Sequence, residues 1–218
     1  MRRQIFLLAV VGAASAGAAE GGMHLAIEDG DLVFANGTRS HVGKYASQLQ
    51  QVIDSFPTVS TSDIKDTSYF NSSVLRYLDL SGDYFVDTPL QLPSLFVLNS
   101  AAATLSLAEN ATGFDSSGYK FPALVILNRT SYSAMLGGTF QATNKGILNG
   151  TWQAIYVADG SYNSVRDVNA QGEFWAIIQV QGGTRNEIAT SRFDGGNIAN
   201  RCIWTIATSA ALVSSLHA

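Results

Sequence analysis

One short apolar phrase returns through the last two-thirds of the chain: SLFVLNS from Ser94, ALVILNR from Ala123, AIYVADG from Ala154, AIIQVQGG from Ala176 and CIWTIATS from Cys202. Each is a run of β-branched and aliphatic residues, generally closed by Asn, Asp or Gly. Such a run is too short for a helix and predicts a strand followed by a bend. Set one above the other, Val97, Ile126, Ile155, Ile177 and Ile203 recur at intervals of roughly 22 to 30 residues. A second series, Leu105, Met135, Val165, Ile188 and Val213, follows the first in step, about ten residues later in each repeat. No copy can bury its own apolar face, whereas parallel stacking lays the inward side chains over one another in a continuous core, the logic of a solenoid.

Ahead of the repeats the period changes. Tyr45, Leu49, Val52, Ile53 and Phe56 fall at i, i+4, i+7, i+8 and i+11, the apolar stripe of one amphipathic helix over 44–56. Pro57 ends it. A helix of about three turns is marginal alone, so the stripe is expected to cover the open end of the strand stack. Before the helix, HLAIEDGDLVFANG alternates around Asp29-Gly30, the signature of a hairpin within an N-terminal extension over 20–43. The polar stretch 58–73 reads as a connection, and Pro89 and Pro93 keep two later bends free of ladder bonding.

Composition narrows the class. Charged residues make up 14% of the 218-residue chain, with 20 glycines and 4 prolines, which suits strands and turns in a single domain over 44–218. The first 19 residues, with Arg2, Arg3, an apolar run over 5–11 and a small-residue stretch, have the form of a secretory signal and are too short to span a membrane. Without those two arginines, 11 basic residues face 17 acidic ones, a net of −6, which removes any electrostatic reason to bind nucleic acid. Secretion, to the extracellular space or the cell wall, also fits five N-x-S/T acceptors at Asn36, Asn71, Asn110, Asn128 and Asn149. Cys202 is the single cysteine and has no partner within the chain; it reads as a small buried apolar residue, with a free thiol as the alternative.

The succession of LQQVID on a helix, GDYFV, LQLPSLFVL, and later MLGGTFQATN from Met135 and IATSRFDGGN from Ile188 resembles the opening of a pectin-lyase-like right-handed parallel β-helix. That superfamily includes polygalacturonases, pectate lyases and polyuronate epimerases. The resemblance covers 45–218 and implies an all-β solenoid of three short parallel sheets with the helix as an N-terminal cap. It is specific for architecture and silent on chemistry.

The chemical signatures of those enzymes are missing. The polygalacturonase phrases Asn-Thr-Asp, Asp-Asp, His-Gly and Arg-Ile-Lys do not occur, nor does the Asp-Pro-His of the epimerases. The acids and arginines nearest to a lyase set are Asp159, Asp167, Glu173, Arg185, Arg192 and Asp194, of which Asp159, Arg185, Arg192 and Asp194 are the catalytic candidates. Asp159-Gly160 and Asp194-Gly195 are equally ordinary turn dipeptides. His24, His41 and His217 are scattered and form no metal spacing or triad. No cofactor or metal is implied, calcium entering only if the activity is that of a lyase. Trp152 and Trp175 each precede a repeated strand and Tyr156 lies within one, so the three are the candidate glycan-binding residues, the alternative being an internal aromatic ladder.

The repeat runs to the end of the chain with no closing segment. The expectation is therefore the front part of a longer solenoid whose open C-terminal end is a surface for another chain. The function expected is a secreted, glycosylated β-helix domain, associated with an extracellular polysaccharide and lacking a complete active site. The alternatives are an active polysaccharide lyase, hydrolase or epimerase, and a structural or adhesive surface protein without turnover.

Overall fold

The computed structural model describes residues 23–58, 75–109, 111, 123–142, 153–172, 174, 176–189, 191–195, 201–206 and 211–214. Among the described residues are seventeen strands and one helix, so the protein is mostly β. No described helix is long and apolar enough to cross a membrane.

The hairpin forms where the alternation predicts it. Strands β1 (His24–Glu28) and β2 (Asp31–Val33) pair antiparallel around Asp29 and Gly30, both at positive φ, as a two-residue hairpin turn requires. Strand β3 (Arg39–His41) adds antiparallel to β2. From β4 (Arg76–Val86) onward every pairing is parallel: β5 (Leu90–Gln91), β6 (Phe96–Leu107), β7 (Ala123–Asn128), β8 (Ala134–Leu136), β9 (Thr139–Ala142), β10 (Gln153–Ala158), β11 (Ser164–Arg166), β12 (Asn169–Gly172), β13 (Ala176–Gln181), β14 (Asn186–Ala189), β15 (Arg192–Gly195), β16 (Arg201–Ile206) and β17 (Ala211–Ser214).

The strands fall on three faces. The first is the five-stranded sheet β5-β7-β10-β13-β16. The second joins β1, the first half of β4, the first half of β6, β8, β11, β14 and β17. The third joins the later halves of β4 and β6 with β9, β12 and β15. Register stacks like on like: Leu25, Leu78, Leu98, Met135, Val165 and Ile188 form one buried column. Tyr84, Leu105, Phe140 and Ala170 form another. Burying each aliphatic member contributes about 1.5–3 kcal/mol relative to exposure.

The register departs from the expected alignment. The first-face column is Leu90, Val125, Ile155, Ile178 and Ile203, so Ile126 and Ile177 are each one residue off. Val97 lies on the second face, packed with Leu75, Leu95 and Ala134, and Leu105 belongs to the third. The reason is that β7 and β10 are buried along both sides, so their continuous apolar runs carry no alternation to fix the register.

Helix α1 (Ala46–Ser55) packs against β4 and β5 through Leu49, Val52 and Ile53, while Phe56 meets Phe96 edge-to-face at 5.2 Å. Asp87, arriving from the end of β4, accepts hydrogen bonds from the Ser47 N–H (2.9 Å) and hydroxyl (2.6 Å). It so supplies a carboxylate to the positive end of the helix. Tyr45 is not part of the buried stripe: it precedes the helix and its ring lies against Phe85.

At the corner between the second and third faces, the buried Tyr84 hydroxyl faces the Ser81 (2.9 Å) and Ile27 (3.1 Å) carbonyls and accepts from the Gly30 N–H (3.4 Å). Burial pushes its pKa up to about 12. The unfolded phenol ionises near 10, so this contribution is intact below pH 10 and is lost as pH rises through the folded value. Stability should fall by about 2–3 kcal/mol between pH 10 and 12 through this residue. Urea titrations across that range should give a flatter profile for Tyr84→Phe.

Candidate functional site

Alternation along β1, β4 and β6 turns Leu25, Ile27, Leu78, Leu80 and Leu98 into the core. It sends His24, Tyr77, Asp79 and Asn99 to the outer side of the second face. Parallel register then brings these four together: His24 is level with Tyr77, and Asp79 with Ala26 and Asn99. Because Ala26 is small, His24 leans diagonally across it. The His24 Nε2 lies 2.6 Å from Asp79 Oδ2, and Asn99 Nδ2 donates to Asp79 Oδ1 at 3.0 Å. The His24 and Tyr77 rings lie 5.9 Å apart, tilted by 54°. Burial raises the Tyr77 pKa, which keeps the phenol protonated at neutral pH.

Beside this group β6 carries one extra residue: Asp79 pairs with Asn99, but Ser81 with Ala102. Such a bulge sharpens the local bend. Here it opens a cleft of about 270 Å³ lined by Asp79, Asn99, Glu28, Ser81 and small residues that include Ala26 and Ala101. The His24 and Asp79 side chains keep 59% and 38% of their surface exposed, so both are reachable from solvent. A carboxylate held at its edges by an imidazole and an amide still has lone pairs for incoming hydroxyls. Glu28 is bound to Arg39 at 2.5 Å. Among the described residues, no three His, Cys, Asp or Glu side chains converge as a metal would need.

A second polar group lies farther along the same face. Arg166 Nε donates to Ser164 Oγ at 2.9 Å, and its Nη2 pairs with Glu187. Val97, Ala134 and Leu136 stand between it and the cleft, and its charges cancel internally.

The residues singled out from the sequence are distributed differently. Trp152, Trp175, Glu173, Asn71, Asn110, Asn149, His217 and residues 1–19 lie outside the described residues, as do the side chains of Asp194 and Cys202. Tyr156 is buried, with its hydroxyl on Gln181 Oε1 at 2.8 Å and its ring among Ile126, Ala123 and Ala158, so it offers no open ring face to a sugar. Asp159 is exposed at a bend between the first and second faces. Arg185, on the next such bend, lies 5.2 Å above the Tyr162 ring and donates to its hydroxyl at 2.6 Å. Arg192 and Asp194 are on β15 of the third face, so β14 separates them from the bend that carries Arg185. Asn36 is exposed in a turn, its Oδ1 accepting the Thr38 N–H at 3.0 Å, and Asn128 ends β7 half-buried. His24, Asp79 and Asn99 were not legible as a site, since only strand register unites residues up to 75 positions apart.

No family model and no curated protein matches the sequence. Among solved structures, the chain is similar to one from Parabacteroides merdae named a "putative glycosyl hydrolase", at 10% identity and a TM-score of 0.49, over 88% of this chain and 97% of that one. At that identity and TM-score the likeness assigns neither an activity nor a substrate.

Proposed function

We propose that the chain is a secreted, N-glycosylated, right-handed parallel β-helix domain of the pectin-lyase-like kind that binds an extracellular polysaccharide in the cleft lined by Asp79 and Asn99, beside His24, and lacks a complete hydrolytic site. The β-helix reading is supported by the three-strand unit β7–β9, which recurs in parallel register as β10–β12 and β13–β15. The observation that carries the binding reading is Asp79, gripped by His24 at 2.6 Å and Asn99 at 3.0 Å at the mouth of the cleft. Planar polar groups fixed by one another, next to an aromatic ring, suit sugar hydroxyls and the apolar side of a pyranose. The two carboxylates at the cleft, with the nearby arginine already paired to Glu28, favour a neutral glycan over a polyuronate.

Asp79→Ala should weaken retention on a matching neutral oligosaccharide by about 10- to 100-fold, the value of one or two charge-assisted hydrogen bonds, at an unchanged melting temperature. Affinity electrophoresis against a panel of neutral and uronate polysaccharides measures this. Equal retention of the variant would reject the cleft as the binding site. The 2.6 Å His24–Asp79 contact also favours a second reading, in which Asp79 orients His24 as a general base. New reducing ends or unsaturated sugars that vanish in His24→Ala would replace binding by catalysis.

A further inference from the structure

Beyond the corner at Gly82, the outer side of the third face carries two rows in register. One is Asp83, Thr104, Thr139 and Asn169; the other is Phe85, Ser106, Gln141 and Gln171. Tyr45 extends the second row, paired with Phe85 through a parallel bridge. Tyr45 and Phe85 are the exposed large hydrophobic residues among those described, 44% each, with ring centroids 5.9 Å apart. From them runs a file of amides and hydroxyls, Ser106 Oγ to Gln141 Oε1 at 3.3 Å and Gln141 Nε2 to Gln171 Oε1 at 3.4 Å. In the adjacent row the Asn169 Oδ1 is buried without a hydrogen-bond partner among the described residues.

We propose that this face is a second glycan site, a track along the stack axis for an extended, unbranched, neutral polysaccharide whose terminal residues stack on Tyr45 and Phe85. Three properties select that occupant. The hydroxyl and amide groups recur at the strand spacing of ~4.8 Å, a periodic ligand surface suited to a polymer and not to a compact molecule. Between Tyr45 and Gln171 the two rows contain one carboxylate, Asp83, and the next register positions on β15 are one base, Arg192, and one acid, Asp194, so the face as a whole has no cationic excess to hold a polyanion or a lipid headgroup. A protein partner would need a dry apolar centre, and this face is apolar only at one end. The proposal rests on the glycan reading of the chain but uses residues on a different face from the cleft.

The test uses the full chain with β-1,4-linked glucose and mannose hexamers and dimers, followed by titration calorimetry. The hexamer should bind at least about tenfold more tightly than the dimer, and Phe85→Ser with Tyr45→Ser should remove that advantage. Gln141→Ala with Gln171→Ala, which spares the helix start, should reduce hexamer affinity in the same direction at a constant melting temperature. Loss of binding in these variants but not in Asp79→Ala would leave the track standing and remove the cleft. A hexamer that binds no better than the dimer, or binding of both abolished by Asp79→Ala alone, would overturn the track.

Discussion

Arg76→Ala is expected to destabilise the protein by about 4 kcal/mol, read as a lower urea midpoint at an unchanged slope. Arg76 is 5% exposed at the start of β4. Its guanidinium donates to the carbonyls of Pro57 at 2.7 Å, of Ser94, and of Leu95 at 3.5 Å, and lies 5.9 Å over the Phe96 ring. These carbonyls come from the chain just after α1 and from the approach to β6, so one side chain ties the end of the helix to the strands. Burial pulls its pKa down, yet a guanidinium remains charged at any physiological pH. Removing it takes the side-chain donor from the Pro57 and Ser94 carbonyls, at about 1–3 kcal/mol each, while the Leu95 carbonyl keeps the Arg76 N–H at 3.1 Å, and it opens space beside Phe96. Arg76→Met keeps most of the volume and loses the donors, so it should fall short of wild type by about 2–3 kcal/mol. A methionine variant as stable as the wild type would mean that desolvating the charge cancels everything its hydrogen bonds return.

Arg76 also marks how far sequence pattern reaches. It shares the inward phase of Leu78 and Leu80, where alternation alone would put an apolar residue, and only the carbonyl cage accounts for it. The repeats were readable as strands because apolar runs end at bend residues; recurrence placed β7, β10, β13 and β16 in one sheet but wrongly added SLFVLNS, which lies on the second face. Register was not readable in the first sheet, because neither side of β7 or β10 faces water. The bends were partly hidden as well. Arg129, Asp159 and Gly182 share one positive-φ position, and Tyr132, Tyr162 and Arg185 share another. Glycine announces such a backbone; Tyr and Arg do not. Those residues endure a strain of about 1–2 kcal/mol each because they stack, Tyr132 on Tyr162 at 4.8 Å and 7°, with Arg185 above.

The same contrast governs the site. Asp159, Arg185, Arg192 and Asp194 are close in sequence, and the turns distribute them over different faces. His24, Asp79 and Asn99 are distant in sequence and converge, because parallel pairing sets whole strands side by side. A short polar residue inside an alternating strand is ordinary by itself. It becomes a site only when the neighbouring strands put polar residues level with it, and register is the quantity that a single sequence specifies least.

Asn163→Ala tests what holds successive units together at those bends. Asn163 is 1% exposed; its Oδ1 accepts the Ser133 N–H at 3.1 Å and its Nδ2 donates to the Thr130 carbonyl at 2.9 Å, both in the preceding unit. Asn186 repeats the arrangement one unit later, accepting the Asn163 N–H at 3.1 Å and donating to the Gly160 carbonyl at 3.0 Å. Ser133 holds the equivalent place one unit earlier and reaches the Pro93 carbonyl at 2.7 Å. An amide is required because each neighbour presents one donor and one acceptor. Alanine leaves the Ser133 N–H unmet and takes one of two donors from the Thr130 carbonyl, which keeps the Ser161 N–H at 3.0 Å. The loss should be about 2–3 kcal/mol, and aspartate cannot donate to Thr130, so Asn163→Asp should recover no more than part of it at neutral pH. The double variant with Asn186→Ala should depart from the sum of the two single losses, since Asn186 holds the Asn163 N–H and the two residues sit on adjacent bends. A loss below about 0.5 kcal/mol for Asn163→Ala would mean that water reaches the bend and that the stacked side chains, not the amides, hold one unit to the next.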